Sequence, residues 1–359
     1  MNLYKDNYID KNRIYTLTKK INENLHFKFG IKNLYHRMIF TAAALVSERY
    51  GADLNGIKNR GYEVFRNVIR DTIQKSLEDN KKQNMKLDIL MEVYIDIKMN
   101  IVENKEAIND FIDCVIEISD SVNSDNWNGE DVMGIFFNEF NRYKKKSESG
   151  QVFTPDHITS LMYKILEVNA NDKILDAACG SGAFLVKSMS NMIKEVGGIN
   201  TKEAKKIKEH SLFGIEFDRE IFALACANMM IHKDGKTNLE QLDSRDKEAS
   251  EWIKSKGITK VLMNPPFERK YGCKKIVENV LNSVPSGIKC AFIMPEKKME
   301  KDKMGKLLEK HHLEAIIKLP EKLFDAGVTT SIYVFETGKK QVGEIYGCYI
   351  EDDGLERVK

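Results

Sequence analysis

The residues best suited to chemistry stand in one short stretch, Asn264-Pro265-Pro266-Phe267. Both prolines lack a backbone N–H and hold their φ near −65°, and each pushes the residue before it toward extended geometry. The stretch is therefore a stiff turn that combines an amide side chain, carbonyl oxygens and an aromatic face. Such a combination suits a planar group that carries an amino group. A turn that merely closes a strand, with Asn264 as an ordinary turn residue, explains the same residues equally well.

The elements that must position this turn alternate between short apolar segments and helical patterns from residue 171 onward. That alternation predicts a mostly parallel sheet covered by helices on both faces. We expect strands at 173–178, 212–218, 238–242, 260–263, 290–295, 313–319 and 329–335. The last two form a hairpin, which 344–350 also joins. The strand at 260–263 leads directly into Asn264, and in such folds ligands lie at the carboxyl ends of the strands.

A glycine-rich turn follows the first strand, whose last acid is Asp176. Gly180 and Gly182 let the backbone approach a ligand closely. The turn is not a dinucleotide fingerprint, because Leu185 stands where the third glycine belongs, and it lacks the Lys-Ser/Thr pair of a P-loop. An acid before the turn suits a cationic ligand, such as one with an amino group and a sulfonium. A glycine-rich connection without a ligand is the alternative.

Two further acids follow the next two strands. Glu216 ends the second strand, where a carboxylate accepts hydrogen bonds from two ribose hydroxyls. Asp243 follows the weak third strand and would face an adenine amine, although a plain loop acid explains it as well. Upstream, Pro155 begins a helix, and Phe153 and Thr154 are either the walls of a ligand pocket or the start of an ordinary capped helix.

The first 145 residues contain no proline, and their apolar residues recur at helical spacing. We predict an all-helical domain with helices at 34–48, 62–77, 87–99, 107–118 and 132–143. The polar stretch 144–150 indicates a domain boundary, which gives a helical domain of residues 1–145 and a second domain of residues 146–359. No residue of the first domain suggests catalysis, so this domain is interpreted as a surface for a partner or for nucleic acid.

Composition limits the function classes. The 359 residues carry a net charge of +2, with 42% hydrophobic and 31% charged residues, as in a soluble globular protein. This balance argues against a wholly basic nucleic-acid coat but allows a local basic face such as 268–275. Six widely spaced cysteines without a C-x-x-C pair argue against a metal site or disulfides and favour a reducing cytoplasm. The apolar runs are too short to span a membrane.

With these motifs in this order, the chain resembles the amino-group DNA methyltransferases that use S-adenosyl-L-methionine. More closely, it resembles the modification (M) subunit of type I restriction–modification systems. The segments that carry the resemblance are 151–155, 176–184, 214–216, 264–267, 319–324 and 327–330. A cofactor loop before the Asn-Pro-Pro-Phe tetrad is the order of the gamma class. The resemblance implies an α-helical N-terminal domain followed by an α/β Rossmann-like methyltransferase domain with a mostly parallel seven-stranded sheet and a C-terminal hairpin.

The activity implied is methyl transfer from S-adenosyl-L-methionine to N6 of an adenine flipped out of double-stranded DNA. Asn264 and the Pro265 carbonyl would accept hydrogen bonds from the amine, and Phe267 would stack on the base; Pro266 completes the catalytic tetrad. The cofactor-binding residues implied are Phe153, Thr154, Pro155, Asp176, Cys179, Gly180, Gly182, Phe184, Glu216, Phe217 and Asp243. The implied partners are DNA, a separate specificity (S) subunit and, as a further candidate, a restriction (R) subunit.

The sequence departs from the family's pattern in two places and leaves alternatives open. It ends soon after residues 351–354, where the family usually continues with a helical tail, and it has no evident target-recognition domain. The tetrad fits N4 of cytosine as well as N6 of adenine. The same chemistry on RNA or on a protein glutamine is a second reading, and a non-catalytic subunit that binds only cofactor or partner is a third.

Overall fold

The computed structural model describes residues 11–79, 84–98, 104–123, 131–141, 154–232, 238–267, 272–321, 323–324 and 328–352. The chain divides into two compact units. The helical unit contains Met1–Lys145, Gly180–Ser190 and Asp218–Thr237, and the sheet unit contains Lys146–Cys179, Asn191–Phe217 and Asn238–Lys359. The linear division into domains after residue 145 stays a prediction.

The regular elements follow one another in the order α1 to α6, then mixed helices and strands. The helices are α1 (Lys11–Glu23), α2 (Leu34–Arg49), α3 (Tyr62–Asp79), α4 (Asn84–Asp96), α5 (Lys105–Asn123), α6 (Val132–Phe140), α7 (Asp156–Ile165), α8 (Ala183–Glu195), α9 (Lys202–His210), α10 (Arg219–Ile231), α11 (Lys247–Lys254), α12 (Cys273–Ser283) and α13 (Lys301–Leu308). The strands are β1 (Ile174–Asp176), β2 (Leu212–Ile215), β3 (Asn238–Glu240), β4 (Lys260–Met263), β5 (Lys289–Pro295), β6 (His312–Lys318), β7 (Thr330–Glu336) and β8 (Tyr346–Tyr349).

The core of the helical unit contains aromatic side chains from α2, α3 and α5, together with Phe29, which follows the turn Asn24–Lys28. The rings of Phe29, Phe40, Phe65 and Phe111 pair at centroid distances of 5.4 to 6.0 Å, and all four are buried. Because apolar residues three and four apart share one face of a helix, the predicted periodicity delivers these rings to a common core. The five predicted helices are confirmed as α2 to α6, whereas α1 and the π-helical turn Asn24–Lys28 were not predicted.

Helix α10 belongs to the helical unit, although it connects two strands of the sheet. Every residue from Ile221 to Ile231 is buried, and the helix packs against α2 and α4. A helix that is apolar all round has to be enclosed, and these two helices provide the cover. Its first turn is pinned by an ion pair between Arg219 and Glu92 and by a 3.5 Å contact between His36 Nε2 and Glu220 Oε1.

The sheet unit contains one eight-stranded sheet among the described residues, in the order β3-β2-β1-β4-β5-β7-β6-β8. Strands β1 to β5 are parallel, and β7 runs antiparallel between β5 and β6. The mostly parallel sheet and its C-terminal hairpin are thus confirmed. The expected pairing of 344–350 with the strand at 313–319 is also confirmed, because β8 pairs with β6. The two strands are parallel, so β8 is not part of a hairpin, and it makes the sheet eight-stranded where seven strands were expected.

Strand β4 lies between β1 and β5 near the middle of the sheet. Its core side chains Val261 and Met263 are fully buried with Leu175 of β1 and Phe292 of β5. Because β1, β2 and β4 are parallel, their carboxyl ends lie at one edge of the sheet. The chain leaves β1 toward β2 on one side and returns to β4 on the other, and ligands of open α/β sheets bind at such a switch point.

Candidate active site

Asn264 follows the carboxyl end of β4, and its side-chain amide is hydrogen-bonded through its nitrogen but not through its oxygen. Its Nδ2 donates a hydrogen bond to Thr154 Oγ1 at 2.9 Å. Its Oδ1 is buried and has no hydrogen-bond partner. A buried acceptor without a partner costs about 1–3 kcal/mol. The side chain is therefore oriented by Thr154 and keeps an oxygen that can accept an N–H from an incoming group.

Phe267, the aromatic residue of the turn, packs against Phe324 in the segment after β6. The two rings meet edge to face, with centroids 5.5 Å apart and an interplanar angle of 79°. Such a contact contributes about 0.5–1.5 kcal/mol beyond area burial. Phe324 is buried and Phe267 is only partly buried. The contact therefore fixes the orientation of a ring that keeps accessible surface. Pro265 is buried beside it, and Pro266 is partly buried.

The segment before α7 supplies Thr154, which the sequence predicted as a pocket wall and which the structure places against Asn264. Pro155 stands at the N-cap of α7 with φ −58°, one residue before the first helical residue. Its carbonyl oxygen accepts from the N–H groups of Ile158 and Thr159 at 2.9 and 3.1 Å. Phe153 lies outside the described residues.

Asp176 ends β1 and is 1% exposed. Burial raises the pKa of its carboxyl to about 8; the hydrogen bond from the Ala178 N–H opposes this rise, and the charge of Glu216 adds to it. That N–H lies 3.1 Å from Asp176 Oδ1. A cation placed beside such a buried carboxyl stabilises its charged form. The observation fits a ligand with an ammonium or sulfonium group.

The acids after β2 and β3 have different surroundings. The Glu216 N–H donates to the Glu240 carbonyl at 3.1 Å, and the Glu216 side chain is partly buried, while the next residue, Phe217, is 57% exposed. Asp243 is paired with Arg245, whose Nε lies 2.8 and 3.0 Å from its two oxygens. This pairing holds the pKa of Asp243 below its usual value. The predicted contact of Asp243 with an adenine amine stays a prediction, and a ligand there would share the carboxylate with Arg245.

Hydrogen bonds that the sequence did not predict tie the loop after β3 to the end of β1. Ser244 Oγ donates to the Ala177 carbonyl. Asn279 Nδ2, on α12, donates to the Ser244 carbonyl at 2.9 Å. These contacts join residues far apart in the chain, and no motif marks them. These bonds fix the backbone immediately after Asp176 and immediately after Asp243.

The glycine-rich turn has backbone angles that favour glycine. Gly180 and Gly182 have φ values of +55° and +89°, a region that other residues enter only with strain. Before them, the Cys179 N–H donates to the Ile215 carbonyl at 2.9 Å. Phe184, in the first turn of α8, is almost fully buried. The two glycines carry no side chain that would keep a ligand away from the backbone. Each taken by itself, the buried carboxyl of Asp176 suits the cationic groups of S-adenosylmethionine, and the carboxylate of Glu216 suits its ribose hydroxyls.

Two other classes of site are absent from the described parts of the chain. No group of His, Cys, Asp and Glu there could hold a metal ion. No helix there is long and apolar enough to cross a membrane.

Known proteins are similar to this chain over the region that contains these residues. Residues 128–291 match the family described as N-6 DNA Methylase. This similarity covers a little under half of the chain. The match begins just before α6 and includes the glycine-rich turn and the Asn-Pro-Pro-Phe tetrad.

Among curated relatives, the type II restriction enzyme and methyltransferase RM.BcgI of Heyndrickxia coagulans is 32% identical over 66% of this chain and 39% of that protein. The type I restriction enzyme EcoEI methylase subunit of Escherichia coli is 22% identical over 53% of this chain and 43% of that protein. The chain thus spans about two fifths of the length of these relatives.

A solved structure shares the fold. It is described as showing complex assembly and conformational transition of the type I R-M system. The match has a TM-score of 0.64 and 16% sequence identity, and the matched region covers 96% of this chain and 78% of the chain in the solved structure. This likeness supports the predicted architecture, a helical region followed by a Rossmann-like sheet domain.

Proposed function

We propose that the chain is the modification subunit of a type I restriction–modification system and transfers a methyl group to N6 of an adenine flipped out of duplex DNA. Its cofactor in this proposal is S-adenosyl-L-methionine. The observation that carries the proposal is the buried, unpaired Oδ1 of Asn264 at the carboxyl end of β4, with Nδ2 already engaged by Thr154. The match to the N-6 DNA methylases over residues 128–291 supports it.

The chain's residues divide the chemistry as follows. Asn264 Oδ1 and the Pro265 carbonyl accept hydrogen bonds from the exocyclic amine, which directs the nitrogen lone pair out of the ring system. Phe267 stacks on the extruded base, and Phe324 keeps its ring in orientation. When bound, S-adenosylmethionine supplies an electrophilic methyl group on a sulfonium. Holding the amine in line with that methyl group provides much of the rate.

The cofactor is assigned to the residues at the ends of the first strands. Asp176 would face a positive group of the cofactor, because its buried carboxyl is stabilised by a cation. Glu216 would accept bonds from the ribose hydroxyls, and Gly180 and Gly182 would allow close backbone approach. A cysteine nucleophile has no place in this mechanism, and burial raises the pKa of the Cys273 thiol.

The proposed partners are duplex DNA, a separate specificity subunit that reads the sequence, and a restriction subunit. The relatives' names support this assignment, because they include restriction enzymes and their methylase subunits. The predicted phosphate-contacting segment 268–275 is described only from residue 272, in the first turn of α12. A cytoplasmic location follows from the proposed DNA substrate.

The test is methyl transfer from labelled S-adenosylmethionine to duplex DNA, with a matching specificity subunit and analysis of the product nucleosides. Asn264→Ala should lower transfer by about 10²-fold or more, in the range found for losing one transition-state hydrogen bond, and should leave cofactor affinity within about twofold. Asn282→Ala is the matched control, because that amide is exposed and bonds only its own helix, at Glu278.

Three outcomes contradict parts of the proposal. Unchanged transfer by Asn264→Ala would refute the mechanism. Label on N4 of cytosine, on RNA or on a protein would change the substrate. A wild-type chain that does not bind S-adenosylmethionine in calorimetry would favour a non-catalytic subunit.

A further inference from the structure

Asn228, in the middle of α10, joins two parts of the helical unit through one amide group. Its side chain is 0% exposed. Its Nδ2 donates to Asp131 Oδ1 at 2.7 Å and to the Ser181 carbonyl at 2.8 Å. Asp131 stands at the N-cap of α6, and Ser181 lies between Gly180 and Gly182. A single side chain therefore connects the start of α6 with the glycine-rich turn.

The turn needs such a support. Gly180 and Gly182 have positive φ values, and glycine has more backbone conformations to lose on ordering than any other residue. A ligand that has to order the turn loses affinity by the entropy of doing so, unless the protein has ordered it beforehand. The hydrogen bond to the Ser181 carbonyl fixes the peptide between the two glycines.

The support itself is held rigidly. The amide has two N–H groups, and both are used, so rotation of the side chain breaks both bonds at once. The acceptor at Asp131 is a carboxylate, which makes that bond stronger than a neutral one. The next residue of α10 lies beside the turn: a Cβ added at Gly182 would be 3.6 Å from Met229 Sδ.

A second observation shows that Asn228 is not there for packing alone. The other buried residues of α10 are Ile, Phe, Ala, Leu, Cys and Met. Asn228 Oδ1 and Ser181 Oγ are both buried without a hydrogen-bond partner. An apolar residue at 228 would avoid the cost of an unpaired buried oxygen. The residue at this position is nevertheless an asparagine, despite that energetic cost.

We propose that Asn228 is a positioning residue for cofactor binding and that Asp131, at the start of α6, sets its orientation. Asn228 acts through the Ser181 backbone and does not itself touch the ligand. The inference rests on the proposed function in one respect, that the ligand of the turn is S-adenosylmethionine. It gives the helical unit a part in cofactor affinity, beyond the contacts to partners and DNA expected from the sequence.

The experiment uses the full chain and three measurements: S-adenosylmethionine affinity by calorimetry, amide hydrogen exchange of peptides covering 177–186, and thermal unfolding. Asn228→Leu removes both donors at nearly constant size. Asp131→Ala removes the acceptor, and Asp131→Asn keeps an acceptor oxygen and serves as the conservative rescue. The matched control is Asn22→Leu, because Asn22 is equally buried in the helical unit and its amide bonds the Glu139 carbonyl at 3.0 Å.

Asn228→Leu and Asp131→Ala should weaken cofactor affinity about tenfold, the loss that corresponds to one or two hydrogen bonds, and should speed exchange of the turn's amides by a similar factor. Asp131→Asn should stay within about threefold of wild type. In steady state the loss should fall on KM for the cofactor, with kcat kept at saturation. Asn22→Leu should lower the melting temperature and leave both the affinity and the exchange of the turn unchanged.

The proposal is overturned if folded Asn228→Leu binds S-adenosylmethionine within twofold of wild type, or if exchange of the turn is the same in both. It is also overturned if Asn22→Leu weakens binding as much as Asn228→Leu does, because the effect would then be general destabilisation. A wild-type chain that binds no S-adenosylmethionine refutes the proposed function instead, and exchange of the turn then decides the positioning role by itself.

Discussion

If Asp176 binds the cofactor as proposed, its burial should make the affinity for S-adenosylmethionine depend on pH. The side chain is 1% exposed, and this burial raises its pKa to about 8. At pH 7 the carboxyl is therefore protonated in about nine of ten molecules. If a cationic group of S-adenosylmethionine binds beside Asp176, it favours the carboxylate, so binding expels the proton.

The size of the effect follows from linkage. With a pKa of about 8 in the free chain and a much lower one in the complex, affinity should rise about tenfold per pH unit between pH 6 and pH 7.5 and should level off above pH 8. An α-amino group has a pKa of about 7.7–8.0, so the ligand stays charged over most of this window. At pH 7 binding should release about 0.9 proton per cofactor.

Calorimetry in two buffers of different ionisation enthalpy measures the proton release, and titrations from pH 6 to pH 7.5 give the slope. Asp176→Asn is the control, because an amide cannot titrate; its affinity should be weaker and nearly independent of pH in this window. A flat affinity profile in the wild type, together with release of less than about 0.2 proton, would refute the assignment of Asp176 to a cationic group.

The same carboxyl affects stability without ligand. Its pKa in the folded chain is raised above the unfolded value, so the stability it contributes is fully present below about pH 4 and is lost as pH rises toward 8. The loss is at most about 1.4 kcal/mol per pH unit in that window. Melting temperatures of the wild type should therefore fall more steeply from pH 5 to pH 8 than those of Asp176→Asn.

Two further predictions concern the turn at Asn264. Thr154→Val removes the acceptor that orients the Asn264 amide; the loss of one hydrogen bond, about 1 kcal/mol, should lower kcat at saturating cofactor roughly three- to tenfold. An unchanged kcat would mean that the amide is oriented without Thr154. Phe324→Leu removes the edge-to-face contact with Phe267, worth about 0.5–1.5 kcal/mol, and should raise KM for DNA several-fold; a defect confined to cofactor binding would contradict this role.

Periodicity predicted helices α2 to α6 because their apolar residues recur at helical spacing. Helix α1 has the same spacing at Ile14, Leu17 and Ile21, which are buried, but it was not predicted. The π-helical turn after it had no such signal, because its geometry depends on contacts made by neighbouring helices.

The candidate site was predictable in its residues but not in its contacts. Strand patterns place Asp176, Glu216 and Asn264 at strand ends, because parallel strands share a direction. The hydrogen bond between Asn264 and Thr154 joins residues 110 positions apart, and the pairing of Asp243 with Arg245 depends on a rotamer. Sequence patterns report which face a residue occupies, whereas such contacts depend on the packed positions of several elements.

Helix α10 lies between two strands of the sheet in sequence but belongs to the helical unit. Because of this position, the sequence pattern assigns α10 to the sheet domain. Yet its apolar residues cover its whole circumference, and the surfaces that enclose it are those of α2 and α4. Without residues 1–145, α10 would lose the helices that bury it, and Asn228 would lose Asp131, the acceptor that orients it. The residues that support the glycine-rich turn therefore include Asp131, which lies in the first 145 residues of the chain.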